Sequence, residues 1–187
     1  MSKANKSNKA IKYRLYPNDE QKVMFAKTFG CCRFVYNQLL ALQKQRYKDG
    51  ESHLSKLKSN EFATRTLKKD YDFLKEIDKF AVSNAVFHLA DAYDRFFKKQ
   101  NHFPKFKSKR KSKKSYTTNF TNNNILIGKN VIKLPKVGMV KAVIHKLPKD
   151  DWKLKSVTVS QDSVGNYFAS VLFEYEQEDI SSVSKSR

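Results

Sequence analysis

Two hydrophobic periods divide the chain. The first is a short alternation from Ile11 to Tyr16, with Ile11, Tyr13 and Leu15 facing one way and Lys12, Arg14 and Tyr16 the other. That pattern predicts a strand, which Pro17 stops. Asn18 then opens a helix, with Asp19 and Glu20 in its first turn and Gln21 at the capping-box position. Phe25, Phe29, Cys32, Tyr36 and Leu39 recur at three- and four-residue steps, so this helix has a packed face, with Gly30 a point of bending or splitting. Asp49-Gly50 ends the segment in a turn. A second helix is predicted over 60–69 and a third over 79–99. The third has the strongest helical pattern: Val82, Val86, Leu89, Tyr93 and Phe96, with Ala85 and Ala92 permitting close approach.

After Ser115 the period changes to two. Short strands are predicted over 124–127, 131–134, 139–145, 153–160 and 167–174, separated by Gly, Pro and Asn turns. SVTVS and YFASVLFEY alternate cleanly and predict a hairpin around a 162–166 turn containing Gly165. The expected fold class is α+β: a small β-barrel with a helical subdomain inserted after its opening strand. The expected division is 1–17 for the tail and first barrel strand and 18–100 for a helical, helix-turn-helix-like subdomain. Residues 101–179 hold a basic segment and the remaining strands, and 180–187 form a loose tail.

Composition narrows the function. The 187 residues carry 38 Lys+Arg against 18 Asp+Glu, a net charge of +20. With 40% hydrophobic and 13% aromatic residues the chain is too apolar for a disordered basic tail. No run approaches the roughly 18 apolar residues of a membrane span, and the N-terminus lacks an apolar leader core. Cys31 and Cys32 are adjacent and form no disulfide framework, which points to a reducing cytoplasm. A cytoplasmic protein with a polyanionic partner is expected.

The charge is clustered. Nine of the seventeen residues from 98 to 114 are basic and none is acidic: Lys98, Lys99, Lys105, Lys107, Lys109, Arg110, Lys111, Lys113 and Lys114. Phe103, Phe106 and Tyr116 are interleaved with them, as suits cations on phosphates and rings on unstacked bases. A solvated linker or a polybasic membrane patch are the other readings of such a run, although no amphipathic anchor or lipidation motif accompanies it. Acids gather instead at Glu174, Glu176, Glu178 and Asp179, away from the polyanion.

No catalytic constellation is visible. His53, His88, His102 and His145 lack metal-ligand spacing, and no C-x-x-C pair, phosphate-cradling glycine loop or nucleophile elbow occurs. Cys31 lies on the helix's apolar side, which favours a buried structural thiol over a nucleophile. Asp91 and Asp94 are a solvated pair on one helix. No catalytic residue, metal ligand or cofactor is assigned.

KYRLYPNDEQ, FGCCRFVYNQLL, IDKFAVSNAVFHLADAYDRFFKK, FPKFKSKR, SYTTNFTNNNI, IKLPKVGMVK and SVTVSQDSVGNYFASVLFEYE follow one another in a fixed order over about 11–176. In order and spacing they resemble the TnpB proteins, the OrfB-type, transposon-encoded RNA-guided DNA nucleases. The resemblance implies that the strands form a wedge-type barrel and the inserted helices a recognition subdomain. Together these would bind a guide-type RNA and duplex DNA carrying a short adjacent motif, while guide pairing reads most of the sequence. It implies that Lys79, Phe80, Ser83, Thr121 and Asn122 lie at that motif, with Tyr116 available for base stacking. Family members often carry Gln where Ser83 stands. From the residues alone, Phe80 is equally a core ring, and Asn122 with Asn123 equally a turn.

The chain also departs from the family. A RuvC-like domain with a G-[IV]-D-x-G strand and a cysteine-paired zinc ribbon is expected to follow, and neither motif occurs in this sequence. The nuclease activity is therefore not carried over, and the expectation is a nucleic-acid-binding portion that is not itself an enzyme. Three alternatives stand beside it. One is half of a split RNA-guided endonuclease completed by a separately encoded RuvC-like part. Another is a non-functional transposase remnant, and the last an unrelated basic RNA-binding protein.

Overall fold

The computed structural model describes residues 5–177; the expected loose tail and the acids Glu178 and Asp179 lie outside them. Strand β1 (Asn5–Tyr16) leads into helix α1 (Asp19–Lys48). An irregular helical stretch follows: α2 (Lys56–Glu61), a π-helical turn (Phe62–Leu67), α3 (Lys68–Asp70) and a 3-10 turn (Asp72–Lys75). Helix α4 (Lys79–Phe97) precedes six strands: β2 (Lys114–Asn119), β3 (Leu126–Ile127), β4 (Val131–Leu134), β5 (Gly138–Val143), β6 (Lys153–Gln161) and β7 (Tyr167–Gln177).

The helices form where capping and periodicity predict them. Asn18 accepts the Gln21 N–H at 2.8 Å while its own N–H donates to Gln21 Oε1 at 3.1 Å, so the capping box is complete. Gln21 Nε2 also donates to the Met139 carbonyl, tying the helix start to β5. Gly30 does not split α1, which runs unbroken for 30 residues. Phe25, Phe29, Cys32, Tyr36 and Leu39 are all buried, as are Val82, Val86, Leu89 and Tyr93 of α4. The expected second helix resolves into the broken α2–α3 stretch, whose π turn leaves Ala63 and Leu67 buried.

The strands make one antiparallel sheet ordered β2-β6-β7-β1-β5-β4-β3. The β6–β7 hairpin forms as expected, with Val157 opposite Val171 and Val159 opposite Ala169. β1 is twice its expected length, because its polar first half pairs with β7 through backbone bonds that require no hydrophobic alternation. β2, which overlaps the basic segment only at Lys114, was not among the predicted strands. Its alternation of buried Tyr116 and Thr118 with outer Thr117 is the missed signal.

The expected small barrel is not closed: the strands form one open antiparallel sheet, and that sheet is curled. Six residues, Phe120 to Ile125, connect its opposite edges. A flat seven-stranded sheet would separate those edges by about 29 Å, whereas seven Cα steps reach at most about 25 Å. The link is also folded into a Thr121–Asn124 turn, with Asn122 and Asn123 at φ of 47° and 54°. The sheet must therefore curl, yet β2 and β3 do not pair. Helix α4 occupies the edge of β2 that closure would need: Asn84 Nδ2 donates to the Thr117 carbonyl at 2.9 Å.

Helices and sheet share one core at an aromatic joint. Phe25 is fully buried, with Tyr167 at 5.4 Å, Tyr116 at 6.3 Å and Phe29 at 6.4 Å between ring centroids. Replacing Phe25 with Ala should lower unfolding stability by about 3–5 kcal/mol, measured in a denaturant titration. A loss below about 1 kcal/mol would mean that α1 does not dock there.

Candidate nucleic-acid interface

The basic segment begins where α4 ends. Lys98 caps the helix, and Lys99 turns the chain out of it at a φ of 57°. Asn37 of α1 then clamps the segment: its Oδ1 accepts the Lys107 N–H at 2.8 Å and its Nδ2 donates to the Lys107 carbonyl at 2.9 Å. The Lys107 ammonium lies 4.1 Å from the Tyr36 ring centroid, and burial holds its pKa below the ordinary lysine range. Lys107 is therefore an anchor that fastens the segment to α1.

Beyond it, Ser108 and Ser112 close a small loop. The Ser108 N–H donates to Ser112 Oγ, and the Lys111 N–H donates to Ser108 Oγ. The loop holds Lys109, Arg110 and Lys111 in solvent, and Lys98, Lys99, Lys105, Lys113 and Lys114 are exposed too. Among the described residues, none of the nine cations is ion-paired with a carboxylate. Eight exposed, unneutralised charges on a tethered segment suit polyanion contact.

The expected motif residues meet only partly. Lys79 and Phe80, at the start of α4, line a groove of about 450 Å³ together with Thr121 and Asn122 of the β2–β3 link. Phe80 is half-buried, with the Lys79 ammonium 5.1 Å from its ring centroid. The link is rigid there, since the Thr121 N–H donates to Asn124 Oδ1 at 2.8 Å and Asn124 Nδ2 to the Asn119 carbonyl at 2.9 Å. Ser83 is half-buried one turn further along α4 and is not among the groove's lining residues. Tyr116 is corrected outright. It is 3% exposed and packs against Phe25 and Phe29 at 6.3 and 5.9 Å, so no face is free for a base.

Three groove residues escaped the sequence. Lys68 and Lys75 come from the irregular stretch before α4, and Lys136 from the β4–β5 turn at a φ of 64°. Nothing in their spacing joins them; only the tertiary fold gathers them beside Lys79. Burial lowers the Lys68 pKa most; Asp78 opposes the shift, while Lys79 and Lys136 add to it through like-charge repulsion. A bound anion would relieve that repulsion.

The groove rests on Asp78. This buried carboxylate caps α4 by accepting the Ala81 N–H at 3.2 Å, and it accepts the Thr118 hydroxyl of β2 at 2.7 Å. Behind it, the Cys32 S–H donates to the Ala81 carbonyl at 3.4 Å, and burial pushes that thiol up to about 12. Cys31 is buried and raised as well. Both thiols are protonated at neutral pH, as structural cysteines are. Among the described residues, no group of three or more His, Cys, Asp and Glu could hold a metal ion, and no helix is long and apolar enough to cross a membrane.

A helix-turn-helix domain family of the OrfB/IS605 type matches residues 5–52. In the structure that span holds β1, the whole of α1 and the turn after it, so it contains one long helix rather than two joined by a turn. A Streptomyces pristinaespiralis protein provisionally named an RNA-guided DNA endonuclease is 31% identical over 168 residues, covering 89% of this chain and 41% of that protein. InsQ of Escherichia coli (strain K12), under the same provisional name, is 30% identical over 174 residues, covering 89% and 40%. The virulence protein VsdF of Salmonella dublin is 32% identical over 111 residues, 54% of this chain and 93% of VsdF. The chain thus spans about two-fifths of the two longer relatives.

Replacing Asp78 with Ala removes a helix cap and leaves the buried Thr118 hydroxyl without its acceptor. Stability should fall by about 2–3 kcal/mol, and amide exchange at Ala81 should quicken in hydrogen-exchange mass spectrometry. Unchanged exchange at the start of α4 would refute the anchoring role.

Proposed function

Because the chain belongs to the OrfB-type (TnpB) family of transposon-associated nucleic-acid-binding proteins, we propose that it binds a guide-type RNA and duplex DNA carrying a short adjacent motif. The 98–114 segment tracks phosphates, and the lysine groove at the start of α4 receives the motif-bearing duplex. Lys79, Phe80, Thr121 and Asn122 face that duplex, with Lys68 and Lys136 supplying charge. The observation that carries the proposal is the presence of two separate cationic surfaces of different build. One is an extended, ring-tethered run, the other a rigid groove with backbone held in fixed turns. Backbone contact requires only charge, whereas reading base edges requires fixed geometry. In this reading the wedge-type role falls to the curled sheet and recognition to the inserted helices. No cofactor is required for either contact, and no nuclease step is assigned to this chain's residues.

The provisional endonuclease names of the two longer relatives, of which the chain spans about two-fifths, favour one second reading. In it a separately encoded RuvC-like part docks on this chain and supplies the cutting centre. Guide-dependent cleavage appearing only when both parts are mixed would select it. A remnant without function would bind RNA and DNA without preference for either the transposon-end RNA or any duplex motif.

Fluorescence anisotropy with transposon-end RNA and with duplex DNA provides the direct test. With six to ten phosphate contacts, affinity should fall about a thousandfold or more between 50 and 200 mM salt; a flat response would sink the proposal. Replacing Lys105, Lys109, Arg110 and Lys111 together with Ala should weaken binding similarly across sequences and reduce the salt slope by about one for each phosphate no longer neutralised. Replacing Lys79 and Thr121 with Ala should instead change the ranking among duplex sequences. The opposite pattern would mean that the two surfaces are exchanged.

A further inference from the structure

A third surface is built differently from both. Where the C-terminal ends of α1 and α4 meet the 101–106 link, aromatic side chains line an open groove of about 690 Å³. Its floor is a packed set of rings. Tyr93 meets Phe103 edge-on at 5.5 Å, Phe96 meets Phe103 at 5.2 Å, and His53 meets Tyr93 at 4.5 Å. Its rim is unusually bare: Tyr47 is 85% exposed, and Phe97, stacked on Tyr93, is 63% exposed. Two large rings left this bare along one groove mark a binding surface.

The charges say which. Lys44 and Lys48 line the groove, and the Lys44 ammonium sits 5.6 Å from the Phe103 centroid and 4.7 Å from that of Phe106. Neither lysine is ion-paired among the described residues. Glu51, the carboxylate in the lining, is already engaged by Arg46. Lysine is depleted at protein–protein interfaces, so a ring-lined groove edged with free ammonium groups is poorly matched to a protein segment. It suits a chain of flat apolar faces strung on phosphates. Burial lowers the His53 pKa, so its ring is neutral at pH 7 and extends the aromatic wall without adding charge.

We propose that this groove stacks unpaired nucleobases of a single-stranded RNA segment, with Tyr47 and Phe97 as the stacking faces and Lys44 and Lys48 on the flanking phosphates. The assignment rests on the nucleic-acid-binding function proposed above. Of the two partners in that function, RNA is the one that offers splayed bases, because duplex DNA keeps its base faces within the stack. The groove thus distinguishes loops and single-stranded runs of the RNA from its helices, a selectivity that the 98–114 segment cannot supply through phosphate contacts alone.

The test uses the full chain with three probes of one sequence. They are a single-stranded oligoribonucleotide containing 2-aminopurine, the same RNA annealed to its complement, and the corresponding single-stranded DNA. Wild-type protein should bind the single-stranded RNA more tightly than its duplex and change the 2-aminopurine emission as the base stacks. Tyr47→Ala and Phe97→Ala should each lower single-stranded RNA affinity about fivefold or more and leave duplex affinity unchanged, while Tyr47→Phe should retain it. Tyr47 is exposed, so unchanged thermal melting should accompany its loss; Phe97 also packs on Tyr93, so its variant is judged on the difference between single-stranded and duplex affinity. Equal losses for single-stranded and duplex RNA would overturn the proposal, as would no loss in either, which would leave the groove to a protein segment. Single-stranded DNA bound as tightly as the RNA would overturn the RNA assignment. A wild-type chain that binds none of the probes would instead overturn the broader nucleic-acid function.

Discussion

The docking of α4 on the outer edge of β2 is the constraint from which the rest of the structure follows. A strand edge buried beneath a helix needs partners for its polar groups, and side chains of α4 and its cap supply several of them. Asn84 covers the Thr117 carbonyl and reaches Asn119 Oδ1, while Asp78 takes the Thr118 hydroxyl and caps its own helix. With Asn84 on that side, β2 pairs with β6 alone, and the sheet stays open although its six-residue link forces it to curl. The same contacts fix Lys79 and Phe80 beside Thr121 and Asn122. Cys32 completes the arrangement by bonding the Ala81 carbonyl from α1.

The electrostatics show a framework that tolerates repulsion at defined places. Four lysines surround the groove at the start of α4, and the lowered pKa of Lys68 records the cost of burial and of its like-charged neighbours Lys79 and Lys136. Elsewhere cations without a carboxylate partner among the described residues are placed over rings: Lys107 over Tyr36, and Lys44 over Phe103 and Phe106. Cation–π contact orients an ammonium without neutralising it. The positive excess is thus displayed to solvent and available to phosphates.

The long α1 changes what a helix-turn-helix description implies for this chain. Phe25, Phe29, Cys32, Tyr36, Leu39 and Leu40 are buried along it, so the helix is a core element over nearly its whole length. A helix whose face is spent on the core cannot also lie in a DNA major groove along that face. The connection from Asp49 to Asp78 is an irregular stretch rather than the three- or four-residue turn of that motif. Candidate contact surfaces lie instead at helix ends and in the turns and links between elements.

Much of this was legible in the residues. Local chemistry determined the Asn18 capping box, the α1 and α4 faces, the β6–β7 hairpin and the basic run from Lys98 to Lys114, because each depends on side chains a few positions apart. The order of the family strings was legible for the same reason. What the tertiary structure alone decided are features of long sequence separation. It drew the first half of β1 into the sheet through backbone pairing that no side-chain pattern marks. It buried Tyr116 against Phe25 and Phe29, gathered Lys68 and Lys136 around Lys79, and brought Tyr47 and Phe97 to one groove. It also left the sheet open, since the contact between α4 and β2 joins segments distant in sequence. Periodicity reports what a segment can bury; only the assembled fold determines what it is buried against.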